Sequence, residues 1–156
     1  MAKTNAVRML EKAKIPFKTI EYEVDESDLS GTHIAESIGR SCNATFKTLV
    51  AKGDKTGLCV FCIPCDLEVD LKKAAKVTGN KKVEFLHVKD LLPTTGYIRG
   101  GCSPIGMKKA LPTFIHQTAL ELEDIAVSGG MRGLQIILSP KDLISFTNAK
   151  TADLTI

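Results

Sequence analysis

The segment LCVFCI (58–63) constrains the fold more than any other part of the chain, because it is apolar on both faces. A strand that is buried on both faces lies inside a sheet, with other elements covering each side. The preceding segment TFKTLVA (45–51) is also strand-like, and GDKTG separates the two. The sequence therefore predicts two strands, 45–51 and 58–63, of which the second is central in its sheet.

The remaining pattern mixes helices and strands without a regular βαβ alternation. Predicted helices cover 3–14, 32–39, 70–77, 88–92 and a final segment that begins at Ser139. Predicted strands cover 17–24, 83–86, 97–99, 113–116, 119–122, 125–128 and 134–138. Thr4 suits a helix N-cap, and Gly79 suits a left-handed C-cap. We expect one α+β domain over 1–156, in which a curled, barrel-like mixed sheet is flanked by helices.

Composition favours a globular protein, and the small excess of positive charge permits an anionic partner without demonstrating one. The net charge is +3, from 21 basic and 18 acidic residues, and the isoelectric point is near 8.6. Strong nucleic-acid binders are usually more basic, so such contacts should be local and sensitive to salt. No apolar stretch approaches the roughly 20 residues that span a bilayer. The N-terminal segment lacks the apolar core of a signal peptide, so we expect a cytoplasmic protein with reduced cysteines.

Several motifs suggest a metal or a nucleotide, and the residues argue against each. Cys59, Cys62 and Cys65 have C-x-x-C-x-x-C spacing, but strand residues three apart point to opposite faces. GCSPIGMK (101–108) lacks the lysine and hydroxyl that a phosphate-binding loop requires. We therefore expect no metal and no cofactor. Cys102, beside two glycines, stays open as an alternative nucleophile.

Three other segments carry features that suit acyl chemistry. Lys47 interrupts the apolar segment FKTL (46–49), where it is either a solvated edge residue or a cation that faces a cleft. In YIRGGCSPIG (97–106), the exposed backbone N–H groups of Gly100 and Gly101 suit a carbonyl oxygen that becomes negative. The alternative is a tight turn without chemistry. VSGGMRG (127–133) is either a hairpin turn with a solvated Arg132 or a second glycine-rich wall.

These segments carry a resemblance to a known family. FKTL (46–49), EVDLKKAA (68–75), TGYIRGGCSPIG (95–106) and VSGGMRG (127–133) occur in this order in the YbaK/EbsC-type aminoacyl-tRNA deacylases. The chain resembles that family over nearly its whole length. It is most similar to the YbaK branch, which deacylates proline-specific tRNA charged with cysteine. Relatives include the editing insertion of bacterial prolyl-tRNA synthetases, which removes alanine.

The resemblance implies roles for individual residues. Lys47, Gly100 and Gly101 would be the catalytic residues, with the two glycines lining the reactive carbonyl. Substrate-binding residues would be Tyr22, Thr48, Ser103, Pro104, Ser128, Gly129, Gly130 and Arg132. Segment 25–31 departs from some relatives, because it lacks the aromatic residue they carry near this position.

The resemblance also implies an activity, which is hydrolysis of the ester bond of a mischarged tRNA. Cys-tRNA(Pro) would be the substrate, and the substrate's own thiol would attack, with release of a cyclic thiolactone. Ala-tRNA(Pro) is the alternative substrate, and a non-catalytic tRNA- or ligand-binding module is the alternative function. The expected partners are mischarged tRNA and prolyl-tRNA synthetase.

Overall fold

The computed structural model describes residues 3–156, in which helices and strands are interspersed. The α-helices are α1 (Asn5–Lys12), α2 (Gly31–Ser37), α3 (Leu71–Thr78), α4 (Val88–Thr95) and α5 (Pro140–Thr147). The strands are β1 (Lys18–Glu21), β2 (Phe46–Gly53), β3 (Gly57–Pro64), β4 (Val83–Phe85), β5 (Thr113–His116), β6 (Ile125–Ser128), β7 (Leu134–Leu138) and β8 (Lys150–Ala152). This order confirms the predicted α+β class.

The strands form two sheets. One has the order β4-β2-β3-β5-β8, and the other has the order β1-β7-β6. A parallel bridge between Thr45 and Ala126 connects them beside the start of β2. The predicted barrel is wrong, because neither sheet closes. In the larger sheet β4 and β8 are edge strands of three residues each, with three strands lying between them.

Strand β3 is central, as its two apolar faces predict. It pairs with β2 in antiparallel register and with β5 in parallel register. Cys59 and Phe61 pack into one buried cluster, whereas Val60 and Cys62 pack into the other. The prediction that Cys59 and Cys62 point to opposite faces is therefore confirmed.

Helices and the smaller sheet cover the two faces of the larger sheet. On one side, Val7 and Leu10 of α1 pack with Ile136 of β7 and Leu143 of α5. On the other side, α3 contributes Ala74 and Ala75. The burial of apolar surface on both faces stabilises the sheet at about 25 cal/mol for each Å² removed from water.

Both predicted caps are confirmed. The Thr4 side chain accepts a hydrogen bond from Val7 N at 3.2 Å, which satisfies one of the free N–H groups at the start of α1. Gly79 ends α3 in the left-handed conformation, with φ of 79°.

Four local elements of the structure differ from the sequence predictions. Residues 97–99 lead into a tight turn rather than forming a strand, and 119–121 of the predicted strand 119–122 belong to a 3₁₀ helix, Gln117–Glu121. Strand β8 was not predicted. Helix α4 continues past Pro93 to Thr95. Pro93 cannot donate a hydrogen bond to the carbonyl of Lys89, and because Lys89 is exposed, water can bind that carbonyl instead.

Candidate active site

A cavity of about 500 Å³ opens where the two sheets meet. The start of β2, the start of α2, the β4–α4 segment and the turn around Gly100 contribute its walls. Its lining includes Leu29, Ser30, Lys47, Thr48, Cys65, Phe85, Gly100, Cys102, Ser128 and Gln135. Four predicted site residues therefore lie together in one cavity: Lys47, Thr48, Gly100 and Ser128.

Lys47 projects from β2 into this cavity. It lies opposite Ile63 of β3, and its side chain is 24% exposed. Its Nζ is 3.7 Å from Oε1 of Glu68, whose side chain is 75% exposed. Lys47 is thus a partly desolvated cation at the cavity wall, and Glu68 contacts it from the solvent side.

The two glycines of the predicted oxyanion site separate in the structure. Gly100 lies in a turn with φ of 85° and lines the cavity. Gly101 does not line it, and its N–H donates to Ile98 O at 3.0 Å. A Cβ on Gly101 would lie 3.1 Å from backbone atoms of Met131 and Arg132, so this glycine permits close packing of two loops.

Ser103 and Pro104 shape the loop from inside the protein. Both are buried, and neither is among the residues that line the cavity. Ser103 Oγ accepts a hydrogen bond from Ile105 N at 3.2 Å. The hydroxyl of Tyr97 donates to Ile105 O at 2.6 Å and fixes the same turn.

The glycines after Ser128 contact the protein instead of the cavity. A Cβ on Gly129 would collide with the Leu134 side chain, and one on Gly130 would lie 3.1 Å from the Tyr97 ring. Arg132 lies outside the cavity lining as well. Its Nε donates to Arg99 O at 2.8 Å and ties this hairpin to the turn that holds Gly100.

Tyr22 and Thr48 occupy different places relative to the cavity. Tyr22 is half-buried outside the lining, and its N–H donates to Gly133 O at 2.9 Å. Thr48 lines the cavity, and its Oγ1 lies 3.8 Å from Cys62 Sγ. Segment 25–31, despite its missing aromatic residue, contributes Leu29, Ser30 and Gly31 to the wall.

Sequence reasoning missed two lining residues that carry recognition features. Gln135 of β7 lines the cavity, is 3% exposed, and its Oε1 has no hydrogen-bond partner within residues 3–156. Phe85 at the end of β4 is a large aromatic ring that lines the cavity while remaining 44% exposed. A lone amide within the apolar run LQIIL (134–138) was the signal available for Gln135.

The thiols near the cavity are not ionised near neutral pH. Burial raises the pKa of Cys102 to about 12, and burial is also the main cause that raises the pKa of Cys65 to about 12. None of the three histidines is among the lining residues. The cavity therefore presents no thiolate paired with an imidazole base.

The structure also bears on metals and membranes. Over residues 3–156, no group of three or more histidine, cysteine, aspartate or glutamate side chains is arranged to hold a metal ion. In the same part of the chain, no helix combines the length and apolar character required to cross a bilayer.

The fold and cavity define a small α+β domain with a ligand-sized cavity where its two sheets meet, and comparison with known families identifies its class. Residues 31–146 match the aminoacyl-tRNA editing domain. The chain belongs to this family.

The chain is also similar to individual proteins and to solved structures. EbsC of Enterococcus faecalis, named as a candidate Cys-tRNA(Pro)/Cys-tRNA(Cys) deacylase, is 54% identical over 153 residues, which cover 98% of this chain and 93% of EbsC. The uncharacterised protein YwhH of Bacillus subtilis is 26% identical over 128 residues, covering 82% of this chain and 81% of YwhH. The crystal structure of a candidate trans-editing enzyme for prolyl-tRNA synthetase superposes with a TM-score of 0.85 at 25% identity, covering 100% and 99% of the two chains.

Proposed function

We propose that this protein hydrolyses the ester bond of mischarged tRNA and that proline-specific tRNA charged with cysteine is its main substrate. The similarity to EbsC and to the prolyl-tRNA trans-editing structure supports this assignment. The whole chain, 1–156, would act as one editing domain in the cytoplasm. Prolyl-tRNA synthetase is the proposed protein partner.

The observation that supports this proposal most directly is a cavity whose mainly apolar walls carry a cation, a glycine turn and a few polar side chains. Its volume of about 500 Å³ lies within the range of roughly 300–1,000 Å³ that is usual for small-molecule sites. An aminoacylated terminal adenosine fits that range, and the rest of the tRNA would remain outside. Phe85 at the rim offers an aromatic face on which the terminal base can stack.

Lys47 and Gly100 would contact different parts of the aminoacylated nucleotide. The Lys47 ammonium would bind the phosphate of the terminal nucleotide and displace its contact with Glu68. The Gly100 N–H would polarise the ester carbonyl. Gly101 would act indirectly, because its own N–H is already bonded to Ile98 O and its missing side chain lets the turn pack against 131–132.

The substrate thiol would be the nucleophile. The cysteinyl sulfur attacks its own ester carbonyl carbon, so a carbon–sulfur bond forms and the bond to the ribose oxygen breaks. The thiol proton passes to that ribose oxygen, and a four-membered thiolactone leaves. Water then opens the thiolactone to cysteine, so the net reaction is hydrolysis of the ester. An intramolecular attack has a high effective concentration, so a protein nucleophile is unnecessary.

A panel of charged tRNAs tests the function. Cysteine, alanine and proline would each be esterified to proline-specific tRNA, and hydrolysis would be followed with catalytic amounts of protein. Faster hydrolysis of the cysteinyl ester supports the proposal. Preferential hydrolysis of the alanyl ester would favour the alternative substrate, and tight binding without turnover of any ester would favour a binding module.

A further inference from the structure

Gln135 is a buried polar residue whose acceptor is unused. Its Oε1 is buried without a partner in the described chain, although the residue belongs to an otherwise apolar strand. An unsatisfied buried acceptor destabilises a protein and is rare in native structures. Because Gln135 lines the cavity, a bound ligand can supply the missing donor.

The place of Gln135 on the sheet adds a second polar group. Gln135 is paired with Ser128 across β7 and β6, and both residues line the cavity. Leu134 and Ile136, its neighbours along the strand, belong to the main buried cluster. Gln135 thus lies on the opposite face of β7, where it and Ser128 form a small polar patch on the cavity wall.

The chemistry of an amide oxygen limits what it can bind. The unused atom of Gln135 is Oε1, which accepts hydrogen bonds and cannot donate them. Phosphate oxygens and the ester carbonyl are acceptors too, so they cannot be the partner of this atom. On an aminoacyl ester the strongest donor is the α-ammonium group, whereas a thiol donates weakly. A buried ammonium also needs acceptors more than any neutral donor does.

The carboxylates of the cavity are less suited to this task. Asp66 and Glu68 also line it, but both are exposed, and Glu68 faces Lys47. An ammonium bound there would compete with the lysine. We infer that Gln135 Oε1 binds the α-ammonium group of the esterified amino acid and positions its carbonyl toward Gly100. This inference rests on the function proposed above.

The test combines a substitution with removal of the ligand's positive charge. Gln135→Leu keeps the approximate volume and removes the acceptor, and Gln117→Leu, at the chain's other glutamine, is the exposed control. Each protein would hydrolyse the best ester of the panel with a free and with an acetylated α-amino group. Thermal melting would establish that each variant is folded.

We expect that the effect of acetylating the α-amino group depends on Gln135 and disappears in Gln135→Leu. Acetylation should lower kcat/KM of the unaltered protein about 10- to 100-fold, the usual range for a hydrogen bond to a charged group. Gln135→Leu should lose a similar factor on the free amine and become insensitive to acetylation. Gln117→Leu should behave as the unaltered protein does. Equal losses on both substrates, or no loss on the free amine, would overturn the inference.

A binding experiment tests the role of Gln135 independently of the proposed hydrolysis. The probes are 3′-cysteinylamido-3′-deoxyadenosine, which cannot be hydrolysed by this route, and its counterpart without the amino group. The unaltered protein should bind the first probe about tenfold or more tightly than the second, and Gln135→Leu should bind both alike. If no ester is hydrolysed but the two probes still differ in affinity, the proposed hydrolysis is refuted and the role of Gln135 stands. Equal binding of both probes by the unaltered protein would refute the role of Gln135.

Discussion

The Nζ atom of Lys47 lies 3.7 Å from Oε1 of Glu68, at the boundary between the cavity and solvent. The lysine side chain is 24% exposed and the glutamate side chain is 75% exposed. A contact of this kind between partly hydrated charges stabilises the fold by about 0–1 kcal/mol. The pair is therefore weak enough for an anionic ligand to replace the carboxylate.

Replacing Lys47 by alanine should remove most of the deacylation. We expect kcat/KM to fall about 10- to 100-fold, because a charge-assisted contact to the substrate is lost. Lys47→Arg should recover part of the activity, since its role is charge rather than proton transfer. Lys52→Ala, at an exposed lysine near the end of the same strand, is the matched control. Single-turnover hydrolysis measures all three, and normal rates for Lys47→Ala would remove this residue from the site.

Replacing Glu68 by glutamine should strengthen the binding of charged tRNA, whereas replacing Lys47 should weaken it. The substitution removes the carboxylate that competes for Lys47, so KM for charged tRNA should fall about two- to fivefold at low salt. The gain should shrink as ionic strength rises, because exposed charges are screened. KM would be measured at two salt concentrations. A higher KM for Glu68→Gln would show that the carboxylate assists binding instead of opposing it.

The parts of the fold that follow from local patterns were predictable. The apolar run in β3 specified its central place, and Thr4 and Gly79 marked helix ends through local backbone chemistry. Sheet closure depends on which distant edges pair, and no periodicity in β4 or β8 encodes that. The segment 119–122 alternates like a strand, yet Ala119 is buried within a 3₁₀ helix.

The site was predictable to a similar extent. Lys47 stood out because a cation interrupts an apolar strand, and the glycine pair stood out by composition. Which glycine faces the cavity depends on packing between the turn at Gly100 and the hairpin at Arg132. Gln135 escaped notice because an unused acceptor is visible only when every neighbouring donor has a position.

Cys102 should not be required for hydrolysis, although it lines the cavity. Burial raises its pKa to about 12, so almost no thiolate exists near pH 7. Cys102→Ala should retain kcat/KM within about threefold once its folding has been established by thermal melting. Cys102→Ser offers a second variant with less loss of volume. An inactive but folded protein in both cases would restore this thiol as a nucleophile.

Acid should destabilise the protein through His116. Its Nδ1 accepts a hydrogen bond from Leu154 N at 3.1 Å, and burial lowers its pKa despite the nearby Asp153. An unfolded histidine titrates near pH 6.5, so below that value the unfolded state binds the proton more readily than the folded state does. The free energy of unfolding should therefore fall as pH drops from 7.5 to 5.5. One such group changes it by at most about 1.4 kcal/mol for each pH unit.

His116→Asn separates this effect from the rest of the molecule. The asparagine oxygen can take the place of Nδ1 as acceptor, and it does not titrate. The variant should show a flatter stability profile between pH 7.5 and 5.5 in urea unfolding. Asp153 has a pKa held below its ordinary value, mainly by the side-chain hydrogen bond from Lys73, so its effect lies at lower pH. Parallel profiles for the two proteins would exclude His116 as the source.

The thiol mechanism makes the strictest prediction, because it assigns the nucleophile to the substrate. Serine has nearly the same shape as cysteine, but its hydroxyl is scarcely ionised near neutral pH, whereas a free thiol has a pKa of about 8.5. Cysteinyl and seryl esters of the same tRNA should therefore bind alike and react at rates that differ by at least about 100-fold under single-turnover conditions. The buried thiols of the protein, such as Cys65 with a pKa raised to about 12, cannot mask this difference. Methylating the substrate sulfur should abolish the fast reaction while leaving binding intact. Equal rates for the two esters, or an unchanged rate after methylation, would assign the attack to water.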